Sequence, residues 1–175
     1  MPDISISRSI ASIKNEWLTG AGMLLNNAFI FGAIVVAVSL FFEKEMKWRL
    51  RLALALFIAL GLASSLKIVL AIERPCAHND SALCPLGFSL PSLHATIAFT
   101  LMFAFLERKQ FPIIFIFAVF VAFTRLNLGV HNFEDVAGAL PVAFIAFYLS
   151  DYLSKKLNHP SNPARKGYTI RRRKS

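Results

Sequence analysis

Residues 18–42, 52–66 and 111–124 hold no charged side chain, and the second of these reads LALALFIALGLASSL. Runs of this kind approach or exceed the ~20 apolar residues that a helix needs to cross a bilayer. In lipid the backbone must satisfy its own N–H and C=O groups, which a helix does within one segment. Composition agrees: 56% of the chain is apolar, 17 residues are Phe, and 17% are charged, against about 25% in soluble domains.

Membrane helices are expected near 18–42, 50–73, 90–107, 111–127 and 132–153. The third and fourth are short and need tilt or flanking residues to span. Ahead of them, Ile6, Ile10, Ile13 and Trp17 recur at helical spacing, with Arg8 and Lys14 on the other face. That pattern predicts an amphipathic helix lying on the bilayer surface. The fold class is therefore all-α, a polytopic membrane bundle of about five transmembrane helices plus an N-terminal interfacial helix. In domain terms, 1–17 is the interfacial helix, 18–153 the bundle and 154–175 a basic cytoplasmic tail. The first 17 residues hold no continuous apolar core, so no cleavable signal peptide is expected.

Charge placement predicts orientation. The turn EKEMKWRLR (43–51) carries four basic residues, ERKQ (107–110) two, and the tail after Tyr152 eight. Five spans put all three on one side, which the positive-inside rule makes cytoplasmic. The net charge of +9 is then a matter of topology and lipid headgroups rather than of a nucleic-acid partner.

The same alternation carries another set of polar residues to the opposite end. Lys67 and Arg74 close the second span, spaced two helical turns apart with Pro75 ending the helix. Ser92 and His94 open the third span, Arg125 closes the fourth, and His131 and Asp135 open the fifth. Singly, each has a plain explanation: a snorkelling lysine, a headgroup-bound arginine, a helix-dipole carboxylate. Together, ionisable groups converging at membrane depth point to a functional site. Lys67, Arg74 and Arg125 suit a phosphoryl group and its transition-state charge, and a helix opening at Pro91–Ser92 offers free amides to an anion. His131 and Asp135, four apart, allow a carboxylate to hold one imidazole nitrogen while the other attacks. His94 is then the acid for the leaving alkoxide.

KIVLAIERP (67–75), PSLH (91–94) and TRLNLGVHNFED (124–135) follow one another in this order. In that order and internal spacing the chain resembles the type 2 phosphatidic acid phosphatase superfamily, whose motifs run K-x6-RP, PSGH and SR-x5-H-x3-D. The resemblance implies a phosphohistidine mechanism with no metal or other cofactor. It makes His131 the nucleophile, Asp135 its orienting partner and His94 the acid/base, with Lys67, Arg74, Ser92 and Arg125 as phosphate ligands. Two departures stand out. Leu93 replaces the family's glycine, so its amide must meet phosphate without a positive φ or not meet it at all, and Thr124 replaces serine with the hydroxyl kept.

Competing readings are a non-enzymatic lipid carrier or flippase using the same cations, and a metal hydrolase built from His78, Asp80, His94, His131 and Asp135. The oriented His131–Asp135 pair argues against the first, and the absence of an H-E-x-x-H-like spacing against the second. The haloperoxidase branch of the resemblance is soluble, unlike this chain. The expected partners are the bilayer and a lipid phosphate at the extracytoplasmic face of a bacterial inner membrane. Phosphatidylglycerophosphate, lipid A 1-phosphate, polyprenyl diphosphate and phosphatidate all fit. The only cysteines, Cys76 and Cys84, fall in the outer loop; a disulfide there would tie Arg74 to Ser92, and two free thiols are the alternative.

Overall fold

The computed structural model describes residues 3–13, 15–77 and 84–158. Among them the chain forms eight helices and no strand: α1 (Asp3–Ala11), α2 (Glu16–Asn26), α3 (Ala28–Phe42), α4 (Met46–Leu70), α5 (Leu93–Ala104), α6 (Phe111–Asn127), α7 (Phe133–Ala137) and α8 (Ala139–Asn158). The centre is a mutual packing of α4, α5 and α8; α6 lies against α5, and α1 and α2 lie against α6.

The α4 sequence explains that packing. Ala55, Ala59 and Ala63 are fully buried at four-residue spacing, forming a strip of small side chains along which helices approach closely. One more turn along the same strip places Lys67 inside the bundle, buried. The outward face of the same helix shows Phe57 and Val69, 76% and 78% exposed, as lipid-facing side chains do and water-facing ones do not. This is an integral membrane protein. By length and apolarity, α4 and the α7–α8 unit (Phe133–Leu157) qualify singly as spans. At ~1.5 Å per residue, the apolar α5 and α6 are only about 18 and 25 Å long, so both are short for a ~30 Å core.

The expected continuous span 18–42 is two helices, α2 and α3, that meet at 86°. Asn27 causes the break. Its Oδ1 accepts from the N–H groups of Phe29 and Ile30, capping α3, while its own backbone closes α2. The expected helix 4–17 is also interrupted: α1 stops at Ala11, and Asn15 caps a new helix by accepting from Leu18 N–H at 3.1 Å. The stripe of Ile6, Ile10, Ile13 and Trp17 is therefore divided over α1, a connector and α2. The face of α1 that meets the bundle includes Ser7, buried, while Ile6 is exposed. Lys14 and the tail beyond Asn158 lie outside the described residues.

At the basic end three of the cations are paired. Arg51 meets Asp151 at 2.5 Å, Lys155 meets the same carboxylate at 2.9 Å, and Arg108 meets Glu43 at 3.4 Å. Trp48 lies between the guanidiniums of Arg51 and Arg108, 4.5 and 4.4 Å from its ring centre.

Candidate active site

α4 ends earlier than expected. Ala71 adopts the left-handed conformation (φ 47°) and closes the helix on Lys67 O, three residues before Arg74. Lys67 and Arg74 thus do not share a helix face, and Pro75 is not what stops the helix. The two cations come together because the loop folds back. Ser89 N–H donates to Ile72 O at 2.7 Å, Lys67 Nζ donates to the carbonyls of Phe88 (2.6 Å) and Ser89 (2.9 Å), and Arg74 Nε donates to Gly87 O at 3.1 Å. An ammonium has three protons, so one remains on Lys67 beyond those two bonds. Cys76 and Cys84 are joined by a disulfide with Cα atoms 5.7 Å apart, closing the part of this loop that contains the undescribed residues 78–83.

His131 reaches the same place from the other side. α6 ends at Asn127, and Gly129 takes a positive φ (65°) that turns the chain toward His131. His131 itself precedes α7, whose cap is Asn132. Asp135 is at the third helical position, where its side chain accepts from Asn132 N–H at 2.8 Å in a capping box. The i, i+4 contact between His131 Nδ1 and Asp135 Oδ2 is 3.2 Å and is made at the helix entrance rather than along a helix.

The tautomer follows from the neighbours. Arg74 Nη1 is 3.1 Å from His131 Nε2, and a guanidinium can only donate, so Nε2 carries the lone pair. The proton is therefore on Nδ1, facing Asp135. Burial pushes the imidazole down to about 4, against the pull of the Asp135 hydrogen bond, so the ring is neutral at ordinary pH. Burial also lowers the Arg74 pKa, with the Asp135 carboxylate opposing. Arg74 Nη1 donates as well to Val130 O at 3.2 Å, which fixes the guanidinium beside the imidazole.

Sequence reasoning missed Ser89. Fully buried, its Oγ donates a hydrogen bond to Asp135 Oδ2, the oxygen that also accepts from His131 and Asn132. A hydroxyl two residues before PSLH is too common to single out, and only the folded-back loop gives it meaning.

Ser92 caps α5, buried, and its Oγ has no hydrogen-bond partner among the described residues. Leu93, the first residue of α5, keeps a negative φ, so its amide is among the free donors of the helix start. His94, one residue on, packs against Phe31 of α3 with ring centres 4.7 Å apart and planes tilted by 51°, and lies within electrostatic reach of Arg125, His131, Arg74 and Lys67. Arg125 is nearly all committed to the fold. Its Nη1 donates to Asn26 Oδ1 and its Nη2 to Gly22 O, each at 2.9 Å, and both Nε and Nη2 donate to Thr124 Oγ1. It thereby holds α2 across the end of α6. One Nη1 proton of five remains. Among the described residues no group of three or more His, Cys, Asp or Glu side chains is placed to hold a metal ion; His78 and Asp80 lie outside them.

A cavity of about 400 Å³ opens beside His131, lined also by Pro75, Gly129 and Asn132 and by Ser7, Arg8 and Ala11 of α1.

A family model described as the PAP2 superfamily matches residues 48–158. Phosphatidylglycerophosphatase B of Bacillus subtilis is 29% identical over 174 residues, covering 89% of this chain and 84% of that protein. Two crystal structures share the fold. LpxE of Aquifex aeolicus has a TM-score of 0.68 at 21% identity, covering 87% of this chain and 96% of its own. A PAP2 type phosphatidylglycerolphosphate phosphatase from Bacillus subtilis has a TM-score of 0.68 at 22% identity, covering 89% and 86%.

Proposed function

Since the chain belongs to the PAP2 superfamily, a family of lipid phosphatases among its named relatives, we propose that it hydrolyses the phosphate ester of a membrane lipid through a phosphohistidine at His131. The observation that carries this reading is the His131 arrangement: a neutral imidazole whose Nδ1–H is held by Asp135 and whose Nε2 lone pair abuts the Arg74 guanidinium. A nucleophile and an anion binder share one point. In the absence of substrate the lone pair accepts from Arg74; a phosphoryl group would take over the guanidinium protons and release Nε2 for attack.

In the first step Nε2 bonds to phosphorus, the ester P–O bond breaks, and His94 gives its proton to the departing alkoxide. In the second, His94 takes a proton from water, whose oxygen displaces Nε2 and yields inorganic phosphate. Lys67, Arg74 and the last free Arg125 proton neutralise the equatorial oxygens, and the unpartnered Ser92 hydroxyl with the α5 amides completes the cradle. The reaction needs no metal on this scheme, so activity should persist in EDTA. Ser89 acts as a positioning residue for Asp135. A hydrogen bond to a charged group is worth ~1.5–3 kcal/mol, so Ser89→Ala should lower kcat roughly tenfold or more with KM little changed. A wild-type kcat would remove Ser89 from the account.

Phosphatidylglycerophosphate heads the substrate panel because the named Bacillus relative acts on it; lipid A 1-phosphate, polyprenyl diphosphate and phosphatidate complete it. The basic turns at 43–51 and 107–110 support the proposal that the site faces the extracytoplasmic side, here taken as that of a bacterial inner membrane. Right-side-out vesicles carrying the chain should release inorganic phosphate from at least one of these lipids into the outer medium. Release into the lumen would reverse the orientation, and tight lipid binding without release would favour a carrier.

A further inference from the structure

The cavity beside His131 has a wall that none of the three motifs contributes. Ser7, Arg8 and Ala11 of α1 line it together with His131. We propose that α1 builds a second anion subsite, in which Arg8 binds a negatively charged group of the substrate headgroup other than the phosphate under attack. The proposal deepens the lipid-phosphatase reading and rests on it for the identity of the substrate.

Two observations support it. The first is that α1 is held in place rather than loosely adsorbed. Asn127 Nδ2 donates to the carbonyls of Ile10 (3.1 Å) and Ile13 (2.9 Å), and the Phe133 N–H donates to Ser7 Oγ at 2.9 Å. The latter bond satisfies an otherwise free amide in the first turn of α7, the helix that carries Asp135. The position of Arg8 is therefore set relative to the nucleophile by short links through residues 127 and 133. The second is chemistry and space. Lys67, Arg74 and Arg125 lie near the two histidines but do not line this cavity, whereas Arg8, exposed, lines it together with His131. A volume of about 400 Å³ is that of a small-molecule site, with room beyond one phosphoryl group. A guanidinium there matches a phosphodiester or a second phosphate by two-point hydrogen bonding. Phosphatidylglycerophosphate and polyprenyl diphosphate carry such a group; phosphatidate does not.

The test compares wild-type, Arg8→Gln and Arg8→Lys proteins in neutral detergent micelles, which removes attraction to an anionic bilayer. Arg8→Gln should raise KM for phosphatidylglycerophosphate about 3- to 10-fold at near-constant kcat and leave phosphatidate within about twofold, with Arg8→Lys in between. An equal change for both lipids, or none for either, would overturn the subsite. A binding arm needs no turnover: the wild type should hold inorganic pyrophosphate more tightly than orthophosphate, and Arg8→Gln should lose that preference. If the wild type released phosphate from no lipid but Arg8 still set the pyrophosphate preference, the phosphatase reading would fail and the subsite would stand. Retention of the preference in Arg8→Gln would remove the subsite.

Discussion

His131→Ala should lower turnover of every phosphate ester, lipid or aryl, by roughly ten-thousandfold or more, the scale of losing a covalent nucleophile. The loss is insensitive to leaving group because the bond to phosphorus is never made. The fold should survive, since the capping box between Asn132 and Asp135, the Ser89–Asp135 hydrogen bond and the Arg74 contact to Val130 O do not depend on the imidazole. A folded His131→Ala protein that still releases phosphate at a tenth of the wild-type rate would exclude the covalent route.

His94→Ala separates the second histidine from the first. On a lipid ester, whose alkoxide leaves poorly, the variant should lose ~10²–10⁴-fold, the usual worth of general acid assistance. On p-nitrophenyl phosphate, whose phenolate leaves without a proton, the first step should recover by a measurable part of that factor. Phe31, buried, packs against the His94 ring and offers it no hydrogen-bonding group. Equal losses on lipid and aryl esters would show that His94 positions the phosphate rather than protonating the leaving oxygen.

The residues of this site were more legible in the sequence than the paths that carry them. The end of the second span already sets Lys67 among the converging ionisable groups, and the structure supplies the reason it points inward: Ala55, Ala59 and Ala63 draw one buried line along α4 that ends on it. The route to Arg74 could not be read so. Helical spacing suggested a shared face, whereas the helix closes at Ala71 and the loop 84–92 returns to meet both side chains. Such a return rests on carbonyl acceptors, and a carbonyl has no letter in a sequence. The same limit hid Ser89, whose worth is set by a partner 46 residues away. Asn27 is a different case. Apolar runs report hydrophobicity over a window, and one capping amide within residues 18–42 bends the run by 86° without altering its average. Arg125 carries two demands, holding α2 through Gly22 and Asn26 while leaving a single proton for an anion, and its motif position announced only the second.

The decisive measurement is the site of phosphate on the protein during turnover. His94→Ala protein incubated with p-nitrophenyl phosphate, where bond formation outpaces hydrolysis of the intermediate, should be quenched in alkali and mapped by mass spectrometry in neutral buffer. The nucleophile assignment predicts one acid-labile phosphoryl group on His131, absent from a His131→Ala, His94→Ala double variant. Steady phosphate release with no phosphoryl group on the protein, or one on any other residue, would contradict it.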